Sequence, residues 1–175
     1  MIGCTSGERP RRLVKEITMT TRSSLASSAT DYTYEMRVHV PRAQIIEAVT
    51  DAATIRRWWT AVSRSERHGN EVDLFMGGDA PAVVVTVEHA AETGEVTWTV
   101  TDCPVMADWV GTKPSFSVAQ NDDGTCTLAF RHVGLNPELE CFDQCRAGWN
   151  HFMPSLHQFL ETGAGRPNEP RDPSV

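Results

Sequence analysis

No run of this 175-residue chain approaches the ~20 consecutive apolar residues of a membrane-spanning helix. The first 30 residues also lack the apolar core, about 7–15 residues long, that a secretory signal needs. Cysteine gives no disulfide framework. The five thiols (Cys4, Cys103, Cys126, Cys141 and Cys145) are an odd set with no CxxC spacing, which fits reduced thiols in a cytoplasm. Cys141 and Cys145 do lie i, i+4 on one helix face, but a zinc site wants more ligands in tighter spacing, so no metal is expected. Basic charge is scarce as well: 16 Lys and Arg stand against 23 Asp and Glu. The deficit is concentrated between residues 31 and 165, which hold nine basic and nineteen acidic residues. Phosphate backbones are bound by basic surface, so no nucleic-acid partner is expected. A glycine-rich phosphate loop, HExxH and Gly-x-Ser-x-Gly are all missing, and with them the signatures of nucleotide enzymes and hydrolases. No cofactor is expected.

What remains is the composition of one globular domain, 40% apolar and 22% charged. Residues 1–30 are rich in Ser, Thr, Arg and Gly without apolar periodicity. They read as a disordered arm, with Met19 as an alternative start. Residues 166–175 carry Pro167, Pro170 and Pro173 and read as a disordered tail. The domain is therefore placed at 31–165.

Within it, apolar and polar residues alternate strand after strand. Tyr32, Tyr34, Met36, Val38 and Val40 share one face. So do Val72, Leu74 and Met76, then Val83, Val85 and Val87, then Val96, Trp98 and Val100. Thr112, Pro114, Phe116 and Val118 follow, and Cys126, Leu128, Phe130 and His132 end the series. A weaker strand over Val62–His68 should pair through a Gly69–Asn70 turn, and Asn121–Gly124 reads as another hairpin turn. One dry face and one Thr-rich or charged face per strand implies an antiparallel sheet with a single wet side.

Helices flank the sheet. Pro41 opens a short helix carrying Ile45, Ile46 and Val49, and Asp51 caps a second that ends near Trp58–Trp59. Asn136 and Pro137 mark the start of a long helix. Its stripe runs Phe142, Cys145, Trp149, Phe152, Leu156 and Phe159, and Gly163 stops it. Pro154 interrupts its hydrogen-bond ladder and should kink it at Asn150. The order predicts an α+β helix-grip fold. A curved antiparallel sheet of six to seven strands wraps around the long C-terminal helix, with two short helices after the first strand.

Residues 31–165 resemble the START-like, or SRPBCC, superfamily. More narrowly they are similar to bacterial proteins like the C-terminal domain of the activator of the heat-shock 90 ATPase. The likeness rests on Ile55–Trp59, on Gly94–Trp98, on Gly124–Leu135 and on Gly148-Trp149. It departs at Glu88–Thr93, where many relatives carry a basic, proline-containing stretch. The resemblance implies an apolar small molecule held between sheet and helix. In some relatives, such as polyketide cyclases, chemistry is done there. It also implies a possible homodimer and, more remotely, a chaperone partner.

The candidate lining is Trp58, Trp59, Met76, Trp98, Phe116, Phe130, Trp149, Phe152 and Met153, large side chains predicted to face inward. The ordinary alternative is that they fill a core. Gly148 beside Trp149 removes a side chain where the helix nears the sheet. His132, at the inward end of its strand, could fix a ligand's polar group or act as acid or base. Asp102, last on the Trp98 face, is a second acid–base candidate, and the two would form a pair if the fold joined them. Three functions follow: binding of a small hydrophobic or aromatic ligand, a cyclase or dehydratase in the same cavity, or a protein-interaction module using the wet face at Thr97, Thr99, Thr101, Lys113 and Arg131.

Overall fold

The computed structural model describes residues 30–59, 65–75 and 79–167. Met76, the first part of the Val62–His68 strand, nearly all of the expected N-terminal arm and most of the expected tail lie outside the described residues. Strands β1 (Tyr32–Val38), β2 (Ser65–His68), β3 (Glu71–Leu74), β4 (Val83–Ala90), β5 (Glu95–Asp102), β6 (Lys113–Gln120) and β7 (Cys126–Val133) form one sheet. Helices α1 (Arg42–Thr50) and α2 (Ala52–Ile55) follow β1, and α3 (Phe142–Thr162) closes the domain. The sheet order is β1-β7-β6-β5-β4-β3-β2, all neighbours antiparallel. It is a meander in which the first strand returns to pair with the last. This is the helix-grip arrangement that the alternation predicts.

Sidedness follows from the two-residue period. Val83, Val85 and Val87, then Val96, Trp98 and Val100, then Phe116 and Val118, then Cys126, Leu128, Phe130 and His132 are all buried. The intervening residues are half-buried or exposed. The register stacks the inward residues across strands: Phe116 lies opposite Phe130, and Pro114 opposite His132. His68 pairs with Glu71 across a two-residue Gly69–Asn70 turn, with Gly69 at φ +70°.

Helix α1 is short, yet none of its final carbonyls is left bare. Glu47 O accepts from Asp51 N, Ala48 O from Trp58 Nε1, Val49 O from Trp98 Nε1 and Thr50 O from Arg67 Nη1. Two indoles thus tie the helix end to β5 and to the turn after α2. Helix α2 stops at Ile55, short of the Trp58–Trp59 end that the sequence predicts. Asp51 caps α2 as the sequence predicts, its Oδ1 accepting from Thr54 N and Thr54 Oγ1, both at 2.7 Å.

The long helix begins later than Asn136 and Pro137 foretell. Asn136 Oδ1 accepts from Glu138 N, and Leu139 N and Phe142 N then donate three residues back, to Asn136 O and Leu139 O. These bonds make two successive turns rather than a helix start, so α3 opens at Phe142. It runs unbroken through Pro154 and stops at Gly163, whose φ of +77° is the left-handed conformation glycine tolerates. Beyond the helix the chain folds back. Ser155 Oγ donates to Trp58 O at 2.6 Å and accepts from Arg166 N at 2.7 Å, while His151 Nε2 lies 2.9 Å from Arg166 O. Among the described residues no helix is long and apolar enough to cross a membrane.

Candidate functional site

Four tryptophans form a ladder through the space between sheet and helix. Trp98 on β5 stacks on Trp59 at 5.3 Å, Trp59 on Trp149 of α3 at 5.7 Å, and Trp149 on Trp109 at 6.1 Å. Trp58 lies beside Trp59 and Trp98 at 6.2 and 6.3 Å. Phe116 and Phe130 close the sheet side, Phe130 at 4.5 Å from Trp149. Trp58, Trp98, Phe116, Phe130 and Met153 are fully enclosed and form core. The gap between Trp98 and Trp149 is occupied, because Trp59 is inserted into it.

The open space lies to one side of this ladder. A cavity of about 210 Å³ is lined by Trp59, Met106, Trp109, Gln144, Cys145, Gly148, Trp149 and Phe152. Of the sequence-predicted lining residues, the structure brings Trp59, Trp149 and Phe152 to it. Its walls come from α3, from the end of the α2 segment and from the 3₁₀ turn Ala107–Trp109. Among the described residues no strand residue reaches it. Trp109 and Met106 escape sequence reading because they sit in a stretch with no apolar period. Only a methionine and a tryptophan in a largely apolar stretch without strand or helix period could have flagged them.

Gly148 plays a different part from the one its position implies. Among the described residues a methyl group built there would meet only the Phe152 ring, at 3.7 and 4.0 Å, which is ordinary contact. The helix therefore makes no close approach to the sheet at this glycine. Its missing side chain leaves room in the cavity instead.

His132 is fully buried and spoken for. Trp149 Nε1, which can only donate, points at His132 Nδ1 from 2.8 Å. That bond fixes the tautomer: Nε2 carries the proton and donates to Thr112 Oγ1 at 2.8 Å, and Thr112 Oγ1 donates to Trp109 O at 2.6 Å. Burial pushes its pKa down to about 3, against a smaller opposing pull from Asp31, so the ring is neutral near pH 7. Asp102 is exposed at the end of β5 and is not one of the ring's partners. The two acid–base candidates are not joined.

The sulfur side of the cavity is equally quiet. Cys145 Sγ accepts from Trp109 Nε1 at 2.9 Å and donates to Met106 Sδ at 3.6 Å, and burial raises its thiol pKa to about 12. A neutral thiol is a poor nucleophile. Cys103, Cys126, Cys141 and Cys145 are all free. Among the described residues no group of three or more His, Cys, Asp or Glu could hold a metal ion. On the opposite, outer face of the sheet a shallow groove of about 600 Å³ runs past Thr33, Glu35, Glu95, Ser115 and Arg131.

No family model and no curated protein matches the sequence. Solved structures match the fold. The Aha1 dimer from Colwellia psychrerythraea is 19% identical, with a TM-score of 0.63 over 78% of this chain and 99% of that one. An HSP90 activator from Plasmodium falciparum is 16% identical, with a TM-score of 0.58 over 74% and 93%. CalU16 from Micromonospora echinospora is 14% identical, with a TM-score of 0.55 over 77% and 75%. At these identities the likeness speaks to the fold, which is the START-like, Aha1-type helix grip that the sequence motifs imply.

Proposed function

We propose that the chain is a binding protein for a small, flat, apolar or aromatic molecule, held against Trp59, Trp109, Trp149 and Phe152. The observation that carries this reading is Gly148. A glycine inside a helix costs about 1 kcal/mol relative to alanine. Here no neighbour among the described residues forbids the methyl group, and the position faces the cavity. Open space is what the glycine provides. The cavity is larger than the roughly 150 Å³ void that holds benzene and smaller than the ~300 Å³ lower bound for drug-sized ligands, so one or two rings fit.

The test is native mass spectrometry of the purified protein, followed by denaturing extraction and a fluorescence screen of one- and two-ring compounds. A retained molecule or saturable quenching is expected, and both should vanish in Gly148→Leu, which fills the cavity without interrupting the helix. A wild-type protein that carries nothing and responds to no compound would end this reading.

A homodimer accords with the proposal, since the Colwellia neighbour is described as a dimer. So does a reducing cytoplasm, which would keep Cys103, Cys126, Cys141 and Cys145 as thiols. The cyclase or dehydratase alternative draws no support from His132, both of whose nitrogens are engaged by Trp149 and Thr112, or from the exposed Asp102. The interaction alternative has two supports: the HSP90-activator neighbour, and the polar outer groove at Thr33, Ser115 and Arg131. Stimulation of an Hsp90 ATPase by the purified chain, lost in Arg131→Glu, would favour it over ligand binding.

A further inference from the structure

Five tryptophans occupy the domain core, and four of their N–H groups have a named acceptor. Trp58 donates to Ala48 O, Trp98 to Val49 O, Trp109 to Cys145 Sγ and Trp149 to His132 Nδ1. Trp59 Nε1 is buried with no partner among the described residues. It is also the one tryptophan of the five that lines the cavity without a hydrogen bond to fix its ring. Its neighbours hold it by faces and edges alone: Trp98, Trp149 and Trp58 stacked, Phe152 edge-on. A buried donor without an acceptor is costly, and the cost is relieved by anything that supplies one.

We infer that the cavity's ligand is an aromatic molecule bearing a hydrogen-bond acceptor (a carbonyl, ether or ring nitrogen), and that Trp59 Nε1 is the donor that recognises it. This rests on the binding reading above and adds the chemical class. Trp59 is only 1% exposed, so the ring turns or slips between Trp98 and Trp149 to present its N–H as the ligand enters. The unpinned indole is the wall that can do this. Trp109 and Trp149, locked by their own hydrogen bonds, stay as fixed faces. An unsubstituted hydrocarbon would fill the same space and leave the N–H as it is.

The test uses two probes of similar size, acetophenone with one carbonyl acceptor and ethylbenzene with none. Each is titrated calorimetrically into the full chain and into the same chain with β-(3-benzothienyl)alanine at position 59, an indole isostere that lacks the N–H. Each probe leaves water at the same cost for both proteins, so the change in their affinity ratio isolates the hydrogen bond. The acetophenone preference should fall about threefold to tenfold on replacement, the span of one neutral hydrogen bond. The replaced protein should also melt no lower than the wild type, because an unsatisfied donor has been removed. Equal ratios in the two proteins, or a lower melting temperature on replacement, would overturn the inference and leave the binding reading standing. If neither probe binds the wild-type protein, this inference falls, and the wider compound screen decides the binding reading.

Discussion

His132 shows how one residue couples the core to acid. Its ordinary pKa of 6.5 falls to about 3 in the folded chain because burial disfavours the charged ring. Between those values the unfolded chain takes up a proton that the folded chain refuses. Stability from this group is therefore complete above about pH 6.5, declines as pH falls, and levels off below about pH 3. The whole loss is on the order of 4–5 kcal/mol. Denaturant midpoints measured from pH 7.5 down to pH 4 should fall for the wild type. A His132→Gln chain, less stable at pH 7.5, should show a flatter acid limb; an equally steep one would place the titration elsewhere. His132→Ala strands the Trp149 N–H in the core, takes away the donor to the Thr112 hydroxyl (which still donates to Trp109 O) and leaves a cavity, and should cost roughly 3–5 kcal/mol. The inward position of His132 was legible from strand parity. Its bonding was not, because Thr112 and Trp149 are neighbours only after β6, β7 and α3 have come together.

Among the elements, the strands were the most legible part. Each inward set repeats every second residue, and the structure buries the described members of the β4 to β7 sets. The start of α3 was not, because Asn136 and Pro137 are residues of turns as well as of helix starts. Nor could periodicity reveal that Trp59, in the turn that follows the end of α2 at Ile55, slides between Trp98 and Trp149. Two glycines near or in α3 now make opposite predictions. Gly148→Ala should raise the melting temperature, by up to about 1 kcal/mol in stability, while weakening ligand retention. Gly165→Ala should destabilise by about 1–3 kcal/mol, because the new methyl would sit 2.5 Å from Arg57 O and 2.9 Å from Trp58 Cα. Paired melting curves of the two variants decide both.

For the molecule as a whole, the indole ladder has an optical consequence. Stacked chromophores 5.3, 5.7 and 6.1 Å apart do not absorb independently, because their transition dipoles couple. Where the in-plane dipoles of neighbouring rungs are skewed, that coupling gives exciton circular dichroism, a paired positive and negative band superimposed on the backbone spectrum. Trp59 is the rung that joins β5 to α3. Trp59→Phe leaves the Trp58–Trp98 and Trp109–Trp149 pairs and should weaken the couplet while the sheet signal survives, and an unchanged spectrum would mean that Trp59 is not stacked in solution. A guest that turns Trp59 would alter the same band, so the protein carries its own dye-free gauge of occupancy.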